Sequence, residues 1–526
     1  MSQESPSRPF IRWWPAALIL VATFGKLIHM RLEESTNHQL LFMKSAATVV
    51  VGGFLLWLWL VLASRLPGKT RLNIFAASIA VLLLGAGLFR IRGVSGNLVP
   101  ILEFRWAGDG AYEAVQGSAD ATTSPYDFPQ FRGPNRDGEV TGIDLARDWQ
   151  TQPPKELWRR SVGEAWSGFA VVGDAAVTME QVGGKEVVSR YALRTGEPVW
   201  THGIDTVFES VIGGNGPRAT PTIHHGRVFA FGAQGDLRAL DLADGSLIWQ
   251  RSFGQDVDGE RRPEWGFTSS PLIVPGETPE QDLVVVSIGA ADRSLVALSA
   301  VDGSEVWAAG QDRVGYSSAD LRIVDGVPQI LIFNGASVAS HAPADGRVLW
   351  SVEWQGDHPH VAQPLILTGD QGSGDRVLVS SGYGHGAKLL RPSVTTDADG
   401  VDTWQVEELW SSRRLKAKFA GFVEHDGKVY GLDDGIMACL DPAEGEKCWK
   451  NGRYGHGQLL LVNDLMIVQT EKGELKLLEA DPEGLVELGS VQALGGKSWN
   501  TLALSKNLVL MRNADEAVCY ELPLAG

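Results

Sequence analysis

The sequence predicts an all-β fold, an eight-bladed β-propeller of four-stranded blades, preceded by an α-helical membrane anchor. Three observations predict it. Uncharged apolar runs of 20 and 18 residues lie in the first hundred positions, a Gly-x-x-x-Trp hairpin recurs through the remainder, and a second, independent register of apolar openings counts to eight. At 526 residues the chain exceeds what one hydrophobic core usually serves, so repetition or several domains is required. Hydrophobic residues at 44% and charged residues at 21% exclude a disordered or fibrous chain, and 61 Gly with 18 Trp point to repeated turns.

The anchor comes first. Residues 45–64, between Lys44 and Arg65, and residues 72–89, between Arg71 and Arg90, carry no charge. At 1.5 Å per residue each can cross roughly 30 Å of hydrocarbon. A third span at about 13–30 is interrupted only by Lys26, whose long stem can carry its ammonium toward an interface. No small-x-small cleavage site follows in LIHMRLEES, so this segment reads as a retained anchor rather than a signal peptide. Lys and Arg in short flanks set orientation. Arg8 and Arg12 precede the first span, and Arg65, Lys69 and Arg71 crowd the loop between the second and third. Three spans starting inside place everything after about Phe89 outside, which in a bacterium is the periplasm beyond the inner membrane. Arg90 and Arg92 pull against this assignment. The expected organisation is an anchor over 1–104, a Gly-, Ser-, Thr- and Ala-rich linker over 105–154, and a propeller over 155–526.

The repeat supplies the propeller. Its copies read RYALRTGEPVW, RALDLADGSLIW, VALSAVDGSEVW, ASHAPADGRVLW and ACLDPAEGEKCW, ending at Trp200, Trp249, Trp307, Trp350 and Trp449. A longer copy ends at Trp410, and a degenerate one puts Leu488 in the Trp place. Each copy alternates apolar residues around a turn of Asp, Gly, Thr or Pro, the pattern of a β-hairpin. From Trp158 the landmarks step by 42, 49, 58, 43, 60, 39 and 39 residues, the period of four-stranded blades. Eight openings, such as GPRATPTIHHG and WGFTSSPLIVPG, each lead a polar or aromatic segment into an apolar strand. The count leaves ELWRRSV to complete the last blade, so the two ends of the domain close one sheet and leave no free edge.

The run GAQGDLRALDLADGSLIW closely resembles the repeat of pyrroloquinoline quinone (PQQ) propellers, the superfamily of quinoprotein dehydrogenases and of the BamB-type scaffold. FPQFRGPNRDG (Phe128 to Gly138), GPRATP and RYGHGQLLLV resemble a membrane-anchored bacterial subgroup of PQQ-like repeat proteins. The resemblance covers about residues 126–526. It implies that each Trp docks on Gly and Ala of a neighbouring blade, a role matching Ala239, Gly245 and Trp249. The repeated Trp residues are therefore expected to stabilise blade packing rather than bind a ligand.

Chemistry is less legible. The soluble part is acidic: residues 1–95 hold 10 Lys and Arg against 3 Asp and Glu, leaving 36 against 60, or -24, in the rest. That balance argues against a nucleic-acid partner. Three cysteines, Cys439, Cys448 and Cys519, offer no CxxC or haem site, and Cys439 and Cys448 fall at the spacing of cross-strand neighbours, open to a bridge or to two thiols. No Walker loop, HExxH or GxSxG occurs, nor the adjacent cysteine pair of quinoprotein alcohol dehydrogenases. No catalytic residue and no metal ligand is assigned. Asp357, His358 and His360 lack a fourth ligand for a metal, the two YGHG copies fall at different places in their blades, and His224 and His225 read as exposed turn residues.

Residues just before the apolar openings should crowd the channel mouth. They are Trp166, Arg218, Trp265, Tyr316, His360, Lys416, Lys418, Tyr454, His456 and Trp499. Aromatic faces with cations suit a flat anion. The same cluster, with Arg413 and Arg414, also reads as a solvated face paired with the many carboxylates. The expected function is a non-catalytic, membrane-tethered scaffold for a protein or cell-envelope component, with no cofactor. The alternative is a dehydrogenase using PQQ with calcium and feeding membrane quinone, for which the anchor ahead of an eight-bladed propeller parallels membrane-bound glucose dehydrogenase. Arg132, Arg136 and the aromatics of Phe128 to Gly138 suit either docking on the propeller base or binding a partner.

Overall fold

The computed structural model describes residues 12–32, 38–96, 98–106, 112–356, 358–367 and 375–526. Arg8 and Asp357 lie outside the described residues. The chain forms two compact units, dividing at Gly108 and Asp109.

In the first unit, helices span Trp14–Leu32, His38–Leu58 and Gly68–Leu88, with a π-helical turn Trp59–Ala63 extending the second. Runs of Ala, Leu and Val with no interior proline favour helix, and Pro67 precedes the third helix, where its missing N–H costs nothing. A Cβ at Gly52 would come within 2.5 Å of the Thr23 hydroxyl, so glycine lets the first two helices approach. Trp57 Nε1 donates to Ser78 Oγ at 3.0 Å between the second and third. Val81, Leu82 and Leu83 are exposed, which water would penalise and hydrocarbon would not. By length and composition all three helices can cross a membrane. A hairpin, Phe89–Val94 with Pro100–Phe104, follows.

The second unit is an eight-bladed propeller. The blades run from Ala170–Val172 to Pro198–Ile204, Thr222–His224 to Leu247–Ser252, Leu272–Val274 to Glu305–Ala309, Asp320–Val324 to Val348–Glu353, Leu365–Leu367 to Asp402–Ser412, Phe422–His425 to Glu446–Arg453, and Gln458–Val462 to Val486–Gln492. The eighth takes three strands from Ala503–Ser505 to Glu516–Glu521 and its fourth from Lys155–Ser161, with Trp158 opposite Cys519. The closure expected of ELWRRSV is therefore present.

Every blade carries a β-bulge between its third and fourth strands, immediately before the landmark position. The bulge re-aims the indole across the gap to the next blade. Trp200 lies on Gly245, Trp249 on Gly303, Trp307 on Gly346, Trp410 on Gly445, and Trp158 on Gly196. Gly245 has φ +73° and a Cβ there would approach the Trp200 ring to 2.5 Å, so backbone and ring both demand glycine. The indole N–H groups also bind across the gap: Trp200 donates to Leu242 O at 2.9 Å and Trp449 to Asp481 O at 2.8 Å. Trp350 differs. Its neighbour carries the long hairpin Gly386–Thr396 with Asp402–Ser412, Gly400 meets nothing, and Trp350 donates to Gln329 in its own blade instead.

Two sequence readings need revision. Leu488 is not in the Trp place: it is the bulge residue of blade seven, and Gly489 occupies the landmark position opposite Leu477. The ring comes from elsewhere, because Trp149, 4% exposed, lies against Gly489 and packs with Leu475, Leu477 and Leu522. Composition also misread residues 112–127 as linker, since they lie along blade one. Val115 exchanges hydrogen bonds with Thr201, and Ala119 and Asp120 accept from the buried Arg190. As for the cysteines, Cys439 is buried, Cys448 is exposed in the bulge before Trp449, and no bond joins them. Burial pushes the Cys439 thiol up to about 12, with Cys448 within hydrogen-bonding reach.

Candidate functional site

Antiparallel alternation places every connection from a fourth strand to the next inner strand at one end of the channel, where the inner strands begin. That end is the mouth. Beneath it the inner strands are tied together around the axis: Gly168 N–H donates to Thr220 Oγ1, Thr220 N–H to Ser270 Oγ, and Ser270 N–H to Ser318 Oγ, at 3.1, 3.0 and 2.9 Å. These Ser and Thr residues were not singled out from sequence, although each sits within an opening, two of them directly before proline.

The ten predicted mouth residues do not form one site. Trp166 and Trp499 pack with centroids 5.0 Å apart and ring planes inclined at 37°, Phe419 lies 4.6 Å from Trp499, and the Phe419 ring meets His456 edge-on at 5.6 Å. Lys497 sits 4.5 and 4.1 Å from the two indoles, and Lys418 4.8 Å from Tyr383 and 5.4 Å from Phe419. Glu471 accepts from Trp499 Nε1 at 3.0 Å and from His456 N–H at 3.2 Å. Burial lowers Lys418 to about 8, against the pull of Asp434 and Glu471, and lowers His456 to about 4. Phe419, Lys497 and Glu471 are the members not named from sequence, although KAKFAG already places Phe419 in an opening and Lys497 directly precedes the opening residues Ser498 and Trp499.

A second group lies toward blades three and four. Trp265 and Tyr316 rings are 5.3 Å apart, and His360 stacks on Phe333 at 4.1 Å and 8° while its Nδ1 meets Asn334 O at 2.6 Å. His358 stacks on His385 at 3.6 Å. So the two YGHG histidines part company, one on His358 and one beside Phe419. A cavity of about 280 Å³ is lined by Trp265, Tyr316, His358, His360, Arg262 and Arg313, among others. Trp265 Nε1, His360 Nε2 and both ring nitrogens of His358 are buried there without a hydrogen-bond partner among the described residues. Burial lowers His358 to about 3 and His360 to about 4, so both rings are neutral near pH 7.

Of the remaining predicted residues, Lys416 and Tyr454 are committed elsewhere, and Arg218 lies near Trp265 but is held by backbone carbonyls. Lys416, 8% exposed, pairs with Asp433 at 2.6 Å, which also holds Lys450 at 2.7 Å. Arg414 pairs with Glu446. Tyr454 is buried in the core between blades six and seven and donates to Glu487 at 3.3 Å. Arg218 donates to Gly214 O and Gly216 O at 2.7 and 2.6 Å and lies 4.5 Å from the Phe208 ring. In an acidic domain a buried cation without a partner is costly, so most of these charges are satisfied internally.

Below the mouth, the Phe128 to Val140 segment crosses the channel. Phe128 pairs with Val171 of blade one, Pro129 O accepts from Ile223 of blade two, and Glu139 and Val140 add a parallel strand to Leu461 and Val462 of blade seven. Arg136, 2% exposed, donates to Ser270 O and Pro271 O of blade three at 3.1 and 3.0 Å. Arg132, 6% exposed, donates to Phe422 O of blade six at 2.9 Å and to Asp137 O at 2.5 Å. Asp137 reaches Arg322 of blade four at 4.0 Å. Thirteen residues that touch the inner strands of six blades must lie across the axis, so this segment is a plug. Of the two readings open from sequence, docking on the propeller is the one realised. Burial lowers both arginines to about 10, and Asp137 and Asp320 offset part of that.

Glu139 is raised to about 7 by burial first, then by Asp137 and Glu424, with Arg132 and Arg322 opposing. An acid whose folded value is raised binds more protons folded than unfolded, so its contribution to stability falls as pH rises from about 4.5 to about 7. Glu139→Gln should therefore flatten the pH dependence of the urea midpoint across that window and raise the midpoint at pH 8. An unchanged slope would refute this.

An eight-bladed propeller with Trp–Gly docking between blades and a three-helix apolar segment ahead of it defines a PQQ-type propeller protein. The chain belongs to the family of outer membrane protein assembly factor BamB, whose sequence profile matches residues 184–451. A BamB of Xanthomonas campestris pv. campestris is 24% identical over 161 residues, covering 29% of this chain and 37% of that protein, so the match spans about a third of the relative's length. Among solved structures, BamB from Moraxella catarrhalis is similar at 15% identity, covering 70% of this chain and 100% of that one, with a TM-score of 0.46. A quinohemoprotein alcohol dehydrogenase from Comamonas testosteroni covers 76% of this chain and 81% of its own at 13% identity, with a TM-score of 0.54. That likeness is one of fold.

Proposed function

We propose that this protein is a non-catalytic binding module, tethered by its N-terminal helices to a bacterial inner membrane, that holds a protein or cell-envelope component on the mouth face of a periplasmic propeller. The observation that carries the reading is the 280 Å³ cavity with four buried, unpartnered ring nitrogens on Trp265, His358 and His360. Buried polar groups left unmade are costly, and an incoming chain with its own donors and acceptors would satisfy them. Membership of the BamB family supports a protein partner in the envelope. The Lys and Arg of the 65–71 loop support the outward orientation.

Around Trp166 and Trp499 the packing weighs against PQQ, the group that the alternative dehydrogenase reading requires. Trp166 and Trp499 are in mutual contact with no slot for a third ring, and Lys416 and Arg218 are spent on Asp433 and on backbone carbonyls. Adding PQQ with calcium to the full-length protein should give no stoichiometric binding and no dye reduction with alcohols or sugars. A photo-crosslinking residue replacing Arg262 should capture a membrane or periplasmic partner, the same residue replacing Lys447 on the base should not, and Trp265→Ala should abolish capture. PQQ binding with turnover would overturn the reading. So would equal capture from both positions, or a cytoplasmic signal from a reporter fused after residue 100.

A further inference from the structure

His224 and His225, read from sequence as exposed turn residues, meet a carboxylate from the next blade. They occupy the turn between Thr222–His224 and Arg227–Phe231 of blade two. Asp282, 3% exposed, directly precedes Leu283–Ala290 of blade three. His224 Nε2 lies 2.7 Å from Asp282 Oδ2, and His225 Nε2 lies 3.7 Å from the same oxygen. The two imidazole rings are 4.0 Å apart and inclined at 57°, and one ligand atom from each of the three residues falls within 4.8 Å of the others.

We propose that His224, His225 and Asp282 form a divalent transition-metal site, with zinc as the fitting ion, clasping blade two to blade three on the base of the propeller. Two imidazoles and one carboxylate are a zinc ligand set, and bonds of about 2.0 to 2.2 Å in a tetrahedron place ligand atoms about 3.3 Å apart. The observed 2.7 and 3.7 Å bracket that spacing, so small ring rotations suffice. The carboxylate is oriented from behind: its Oδ1 accepts from Gly276 N–H at 2.9 Å, leaving Oδ2 for the ion, the second-shell arrangement that metal carboxylates use. The backbone of Asp282 is held too, its carbonyl accepting from Ala300 N–H at 2.9 Å. His225 stands at φ +46°, the turn conformation that Asp325, Asp426 and Asn463 adopt at the equivalent place in other blades, so the hairpin presents it without distortion. Nearby Arg227 donates to Ala300 O at 2.6 Å, so its charge is engaged with a carbonyl. His225 is exposed, so an ion can enter and a fourth position stays open to water.

The test uses tag-free, full-length protein in detergent, stripped with chelator and titrated with Zn²⁺ against a competing indicator. Wild type should bind one equivalent and melt at a higher temperature with zinc, and Co²⁺ should give the absorption bands of a tetrahedral site. Asp282→Asn and His225→Asn should each weaken binding at least tenfold. Asn tolerates the positive φ at 225, so His225→Asn should melt like wild type in chelator, which separates ligand loss from misfolding. Wild type without zinc uptake, or uptake unchanged in both variants, would overturn the proposal and leave the His224–Asp282 contact as a simple inter-blade hydrogen bond.

Discussion

Trp149→Ala should cost about 3–5 kcal/mol, as much as truncating any repeat tryptophan, although Trp149 lies outside every repeat. The reason is geometric. Blade seven presents Gly489 where the other blades present a landmark aromatic, and its third strand would otherwise face an empty inter-blade gap. Trp149 fills that gap and packs on Leu475, Leu477 and Leu522, so its loss removes a buried aromatic and leaves a cavity between blades seven and eight. Gly489→Ala tests the same contact from the other side, because its Cβ would approach the Trp149 Cβ to 2.5 Å. Urea denaturation of Trp149→Ala, Trp249→Ala and Leu488→Ala should place the first two together and Leu488→Ala well above them. A Leu488 variant as weak as Trp249→Ala, with Trp149→Ala unaffected, would restore the reading made from the repeat alone.

Replacing Arg132 and Arg136 by methionine should be comparably damaging, at about 3–5 kcal/mol each. Both guanidinium groups are buried and hold blade carbonyls: Phe422 O for Arg132, and Ser270 O and Pro271 O for Arg136, the last also accepting from Thr222 Oγ1 at 2.6 Å. Methionine keeps the volume but takes the guanidinium donor from Phe422 O and from Ser270 O, at a cost of roughly 1–3 kcal/mol apiece, while Pro271 O keeps Thr222 Oγ1. The plug should then loosen, and limited proteolysis should cut within residues 128–140 in the variants and not in wild type. Gly421→Ala gives an independent route, since a Cβ there would occupy the place of the Arg132 guanidinium. Arg347→Ala, an exposed arginine, is the control and should change the midpoint by no more than about 0.5 kcal/mol. Variants with a resistant plug and an unchanged midpoint would show that the segment does not depend on its arginines.

The mouth was legible only in part, and charge explains why. Sequence position put all ten residues at one mouth, because each precedes an inner strand; the structure gathers Trp166, Trp499, Lys418 and His456 around Phe419 and sets Trp265, Tyr316 and His360 in a separate group. Sequence position failed for Lys416 and Tyr454, whose neighbours Lys418 and His456 do face the mouth. In a strand, residues two apart share a face, but residues 414–419 and 454–457 are irregular connections, so no period tells which side chain meets the channel and which meets Asp433 or Glu487 in the blade wall. Of the cavity's lining, Trp265, Tyr316 and His360 were legible as residues before an inner strand, whereas Arg262 and Arg313 carried no such signal, since they sit earlier in connections from separate blades.

What the sequence determined by itself was periodic. Blade number, closure by ELWRRSV, the Trp–Gly docking and three apolar spans all follow from local alternation, turn chemistry and hydrophobic run length, each written within about 40 residues and repeated. What only the tertiary structure decided was everything supplied once and from a distance. Trp149 replaces a missing repeat residue some 340 positions away, the Phe128 to Val140 segment crosses the axis to reach six blades, and Asp282 meets His224 across a blade boundary. A propeller makes such meetings unavoidable, because closing the ring brings its first and last segments to the same axis and the same two blades. Periodicity records the contacts that every blade makes, and a contact made by a single segment leaves no period to read.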